Sequence, residues 1–249
     1  MVVREDRGGV AILRLAHGRA NALDPEVLRA LAEALATAAA ADAVVLTGTG
    51  GMFSAGVDLK RLAAGGPDYP GALIPALADC FGRLFFHPRP LVAAVNGHAI
   101  AGGCVIACAA DRRLAARGDG RFGVTELLVG VPFPALALEI MRGVVPPHLF
   151  AEAVYGGRTW SLEEAAGHGL LDAVVEAHAL LDAAVREAER LAAIPAETFA
   201  LTKAQARQPI RDFLALHAAR IDREVQRCWS TAEAQAAIQR YVQQTLTRR

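Results

Sequence analysis

This sequence has no excess of charge of either sign: 26 lysines and arginines stand against 26 aspartates and glutamates. Nucleic acids and acidic membrane surfaces are gripped by clustered basic side chains, so this balance argues against both as partners. Cysteine is scarce too. Cys80, Cys104, Cys108 and Cys228 contain no CxxC spacing, and free thiols in a reducing compartment are expected rather than a disulfide framework. No apolar run reaches membrane-crossing length, and the opening MVVREDRGGV has no apolar core of a signal peptide. A cytoplasmic protein is therefore expected. The seven histidines are scattered without paired ligand spacing, so no metal site is expected.

What is present is an alternation of strand-like and helix-like segments, over a length that suits one large domain. Residues 9–16 form a strand pattern after a polar opening. Asp24-Pro25-Glu26 then supplies an N-cap, a proline at the first helical position and an early acid. Leu28, Leu31 and Leu35 share one face of that helix, which predicts packing against a sheet. A buried strand at 43–47 completes a βαβ unit. A glycine-rich loop at 48–60 runs into a polar helical segment, 65–71 (GGPDYPG) reads as a mobile surface loop, and a helix is predicted over 72–86.

Residues 91–108, LVAAVNGHAIAGGCVIAC, read as a buried strand, a turn at Asn96-Gly97, and a helix whose first turn is bare. Glycine there lets a ligand approach the backbone, and the unpaired N–H groups of a helix N-terminus favour negative charge on that ligand. Further strands are predicted at 112–116, 121–125 and 172–176. Helices dominate from Ala135 onward, with amphipathic runs at 210–229 and 231–246. The expected class is α/β, with an α/β core over 1–195 and a C-terminal helical region over 196–249.

Several familiar sites fail on inspection. Gly51 to Gly56 has phosphate-loop glycine spacing, but Val57-Asp58 follows where Lys and Ser or Thr belong. Gly48-Thr49-Gly50 is followed by Phe53 where a dinucleotide fingerprint needs glycine. Ser54 has Met52 two positions before it, where a nucleophile elbow needs glycine.

Three motifs in order remain: FSAGVDLK from Phe53, VNGHAIAGGC from Val95 and FGVTELLVGVP from Phe122. Together they resemble the crotonase superfamily, the enoyl-CoA hydratase and isomerase family. The resemblance runs from Asn21-Ala22-Leu23 into the helical tail and implies a ββα-repeat spiral core. It implies an acyl-CoA thioester as substrate, with no separate cofactor because coenzyme A is part of that substrate. By motif position the backbone N–H groups of Val57 and Gly102 form an oxyanion hole for the thioester oxygen, each donor being worth roughly 3 kcal/mol of barrier. Glu126 aligns with a family acid–base residue, and its apolar surroundings should raise its pKa. The family's second acid falls at Val105, on the same helix face as Gly102, and here it is valine.

This departure favours one reaction class. Hydration uses two acids to hold and deprotonate water while carbon is protonated; moving a double bond needs one residue that takes a proton and returns it elsewhere. The pattern is similar to delta-3, delta-2-enoyl-CoA isomerases. The dienoyl-CoA isomerase branch adds an aspartate eight residues after the glutamate, where this chain has Pro134. Enoyl-CoA hydratase remains the alternative, and an acyl-CoA-binding protein that has lost its chemistry is the alternative of another class. The resemblance also assigns substrate contacts to Arg19, Ala20, Ala55, Gly56, Asp58, Lys60 and Gly103, with Arg61 a further phosphate candidate. Asp58 reads as a helix cap, Glu139 and Arg142 as an ion pair, and His98 as structural. Trp229 and Tyr241 read equally as interface anchors or core. Family members commonly form trimers or dimers of trimers, so a homotrimer or hexamer is expected.

Overall fold

The computed structural model describes residues 1–246; the last three residues of the helical region 196–249 lie outside them. Two sheets organise the chain. The larger has the strand order β1 (Val2–Arg7), β2 (Val10–Leu15), β3 (Ala43–Thr47), β5 (Leu91–Val95), β7 (Arg112–Ala116) and β10 (Ala173–Val175). All pair in parallel except the β1–β2 hairpin. The smaller joins β4 (Met52–Ser54), β6 (His98–Ile100), β8 (Arg121–Gly123) and β9 (Thr159–Ser161), with only β9 antiparallel.

The chain passes between the sheets in a repeated step. Three times it forms a strand of the large sheet, then a strand of the small one, then a helix. These units are β3-β4-α2 (Leu59–Gly65), β5-β6-α4 (Gly102–Ala109) and β7-β8-α5 (Glu126–Val129). This is the ββα repeat that the motifs imply. Its consequence is positional, because the three turns from small-sheet strand into helix contain residues 55–58, 101 and 124–125.

Strands β2, β3 and β5 are apolar almost throughout because both faces are covered. Ala11, Leu13, Val44, Leu46, Ala93 and Val95 face the main core. The alternate residues Val10, Ile12, Val45, Val92 and Ala94 pack against Leu180, Ala184 and Ala188 of α8 (Leu180–Ala192), which follows α6 (Ala135–Val144) and α7 (Leu162–Gly167) in the chain. The predicted helix at Asp24 is α1 (Pro25–Thr37), and its leucine face packs on α3 (Pro70–Phe85) as well as on β1 and β2. The polar opening is itself a strand: β1 is an edge whose exposed charges discourage further pairing. Residues 65–71 are not an open loop either, since Gly66–Asp68 forms a 3-10 turn leading directly into α3.

The tail is α9 (Ala196–Trp229) and α10 (Ala232–Tyr241). Val225, Trp229 and Ile238 join the main hydrophobic cluster, so these helices fold back over their own chain. Asp111 anchors α9 through Lys203 at 2.7 Å and Arg207 at 2.8 Å. The Arg207 and Arg211 guanidiniums stack on Phe85 and Phe86 at 4.1 and 4.3 Å. Among the described residues no helix is long and apolar enough to cross a membrane. The four cysteines are free, three of them buried. Glu139 and Arg142 form the predicted ion pair at 3.2 Å.

Candidate active site

The first wall begins at Asn21, a buried residue held at φ 44°. Its Nδ2 donates to the Met52 and Phe53 carbonyls at 3.0 and 3.3 Å, and its carbonyl accepts from Ser54 Oγ at 2.7 Å. Residues 20–23 thereby pair with 55–58: Ala55 N–H donates to Ala20, Leu23 N–H to the Gly56 carbonyl and Asp58 N–H to the Leu23 carbonyl. Successive amides along an extended segment face opposite ways, so Val57 N–H points away from this pairing. Asp58 caps α2 by accepting from the Lys60 and Arg61 N–H groups at 3.1 and 3.0 Å, the role its position predicts.

Gly102 opens α4, and its N–H therefore has no intrahelical acceptor. Among the described residues neither Val57 N–H nor Gly102 N–H has a protein acceptor. The two loops touch backbone to backbone. A Cβ on Gly56, whose φ is 79°, would sit 2.9 Å from Gly102 N, and one on Gly103 would sit 2.3 Å from the Ser54 carbonyl oxygen. Ala101, immediately before Gly102, holds φ 51° and ψ −128°, a conformation costly for a residue with a Cβ.

Both loops open onto one cavity of about 640 Å³. Val57, Gly102, Val105 and Glu126 line it, as do Ala20, Ala55, Asp58 and Lys60. Gly56 and Gly103 lie beneath the lining, where they allow the loops to meet. Arg19 is exposed and outside the lining, and Arg61 is engaged with Asp24 at 2.7 Å and Glu26 at 2.8 Å instead of being free for a phosphate. Glu126 is the first residue of α5 and is buried, with its Oε2 unpartnered among the described residues. Burial pushes its carboxyl up to about 7, against the opposing pull of the backbone at 126 and 125. Asp58, the other carboxylate of the lining, is occupied by its cap. Val105 is fully buried.

Much of the remaining lining was not evident from motifs. Leu77 and Phe81, one turn apart on α3, supply apolar wall, and so do Val129, Val131 and Ala137. The heptad-like face of α3 was the available signal, but it does not tell cavity wall from core. Trp229 closes the cavity and donates through Nε1 to the Pro132 carbonyl at 2.9 Å, and Tyr241 lines it as well. Their contacts are thus within the chain. Among the described residues no cluster of His, Cys, Asp and Glu is placed to hold a metal ion.

Comparison with known proteins identifies the family and agrees with the fold. The family model described as Enoyl-CoA hydratase/isomerase matches residues 5–246. The chain belongs to the enoyl-CoA hydratase/isomerase family. It is 32% identical over 203 residues to "Probable enoyl-CoA hydratase EchA17" of Mycobacterium tuberculosis, covering 79% of this chain and 76% of that protein. Human mitochondrial delta3-delta2-enoyl-CoA isomerase superposes with a TM-score of 0.95 at 25% identity, covering 100% of this chain and 99% of that one. An enoyl-CoA hydratase/isomerase family protein from Pseudomonas syringae gives 0.83 at 29% identity, over 90% and 97%. Family membership supports enoyl-CoA hydratase/isomerase activity and makes an acyl-CoA thioester the consistent substrate.

Proposed function

We propose that this family member moves the double bond of a 3-enoyl-CoA into conjugation with its thioester. The observation that carries the reading is the pairing of Glu126, whose carboxyl titrates near 7, with an apolar Val105 in the same cavity. Glu126 takes a proton from C2, electron density moves onto the thioester oxygen, and the Val57 and Gly102 N–H groups hold the resulting dienolate. The protonated Glu126 then delivers its proton to C4, and the 2-enoyl-CoA leaves with the carboxylate regenerated. One residue serves both transfers, which is why a second acid is dispensable. Hydration would need a water oriented against a second acid, and the position suited to it carries a methyl-bearing side chain.

The test is to supply 3-enoyl-CoA and 2-enoyl-CoA separately and follow the ultraviolet absorbance of the conjugated thioester. Absorbance should grow with the first substrate and stay level with the second. Rapid loss of absorbance from 2-enoyl-CoA, without isomerisation, would mark a hydratase instead. Glu126→Gln should lower turnover by at least about a hundredfold while leaving acyl-CoA affinity in place. Unchanged turnover would remove Glu126 from the chemistry, and wild-type protein that binds acyl-CoA without turning over either substrate would return the chain to the binding-protein reading. The proposal includes assembly as a homotrimer or dimer of trimers; a monomer in sedimentation would overturn that part.

A further inference from the structure

The small sheet has two unlike faces. Phe53, Ala99, Phe122 and Trp160 point into the core, while the alternate residues Met52, His98, Arg121 and Thr159 line the cavity. This wall carries an arginine, a histidine and a threonine, whereas the wall of Leu77, Phe81, Val129, Val131 and Ala137 is apolar. Arg121 is held by Thr159, its Nε and Nη2 donating to the Thr159 side chain and carbonyl. Its Nη1 has no acceptor, and no carboxylate pairs with it, among the described residues. Glu164 feels the Arg121 charge but is bound in the capping box of Ser161. His98 Nδ1 accepts the Arg121 N–H at 3.2 Å, so the neutral ring carries its proton on Nε2 and is a donor there. Met52, His98 and Arg121 are the first residues of three parallel strands, whereas the turns at 55–58, 101 and 124–125 and Glu126 follow the last residues, which sets the Arg121 guanidinium at the opposite edge of the small sheet from Val57, Gly102 and Glu126.

Resting on the acyl-CoA reading, we propose that Arg121 and His98 recognise a carboxylate at the far end of the acyl chain. The preferred substrates are then enoyl-CoA thioesters of dicarboxylic acids rather than of simple fatty acids. A guanidinium with a free edge and an imidazole N–H on one wall suit the two oxygens of a carboxylate. A methyl-terminated chain would offer neither donor an acceptor.

The experiment measures binding of saturated thioesters, which need no chemistry: adipoyl-CoA against hexanoyl-CoA and suberoyl-CoA against octanoyl-CoA, with free coenzyme A as reference. Wild-type protein should bind the carboxylated member of at least one pair about tenfold more tightly, as a charge-assisted hydrogen bond gives. Arg121→Met should abolish the preference while binding hexanoyl-CoA and free coenzyme A as before. His98→Phe should reduce it. Equal affinity within both pairs, or a preference retained by Arg121→Met, overturns the proposal. So does an equal loss of all ligands including free coenzyme A, which would assign Arg121 to the coenzyme's phosphates. If wild-type protein binds no thioester at all, the acyl-CoA reading falls and takes this proposal with it; binding without preference removes this proposal alone.

Discussion

Glu126 gives a prediction that joins stability to function. A carboxyl held protonated up to about pH 7 in the folded chain, against an ordinary value of 4.5, binds a proton that the unfolded chain has released. The sign follows from linkage: below pH 4.5 both states are protonated and the residue costs nothing. Between 4.5 and about 7 the native state binds more protons, so stability falls as pH rises, and the loss is complete above 7. At about 1.4 kcal/mol per pH unit, that interval amounts to about 3 kcal/mol. Glu126→Gln keeps the shape and has no charge to bury, so it should stabilise the protein by up to about 3 kcal/mol at pH 8 and by nearly nothing at pH 4.5. Denaturant titrations of both proteins across that range measure the difference directly. A variant no more stable than wild type at pH 8, or a difference that does not change with pH, would refute the burial of an ionised Glu126.

Val105→Glu should place a second carboxylate beside Glu126, move the rising limb of the pH–rate profile above 7, and produce 3-hydroxyacyl-CoA that the wild type does not make. Gly103→Ala should cost about 3 kcal/mol, because its Cβ meets the Ser54 backbone at 2.3 Å. Gly51→Ala, with open space around it, is the control, and thermal melts of the two compare them. Asp111→Asn should destabilise by about 3 kcal/mol, since it leaves Lys203 and Arg207 buried without their anion; urea midpoints report it.

The parts of this molecule legible in its sequence are those fixed by neighbours along the chain. Asp24-Pro25 announces α1, and the Asp24 side chain does accept from Val27 N–H at 2.8 Å. The Gly102-Gly103 pair marks a bare helix start, and Glu126 stands out as an acid among apolar residues. Strand β1 was hidden because an exposed edge strand has no buried face to impose alternation. Strands β6 and β9 are three residues long, too short for any period. Arg61 looks free in sequence because Asp24, which holds it, is 37 residues away. The cavity roof has the same origin, since Trp229 meets Pro132 across 97 residues.

That roof couples the docking of two helices to the acidity of one residue. The turns at 55–58 and 101 and Glu126 come from the first half of the sequence, whereas Trp229, Tyr241 and Thr245 cover the same cavity from the helical tail. Helix α10 also packs on α5, with Ala237 above Gly130. Because burial is what raises the Glu126 carboxyl, undocking of these helices would admit water to the cavity and lower that carboxyl toward its ordinary value. By linkage, docking of the helical tail and protonation of Glu126 then favour each other.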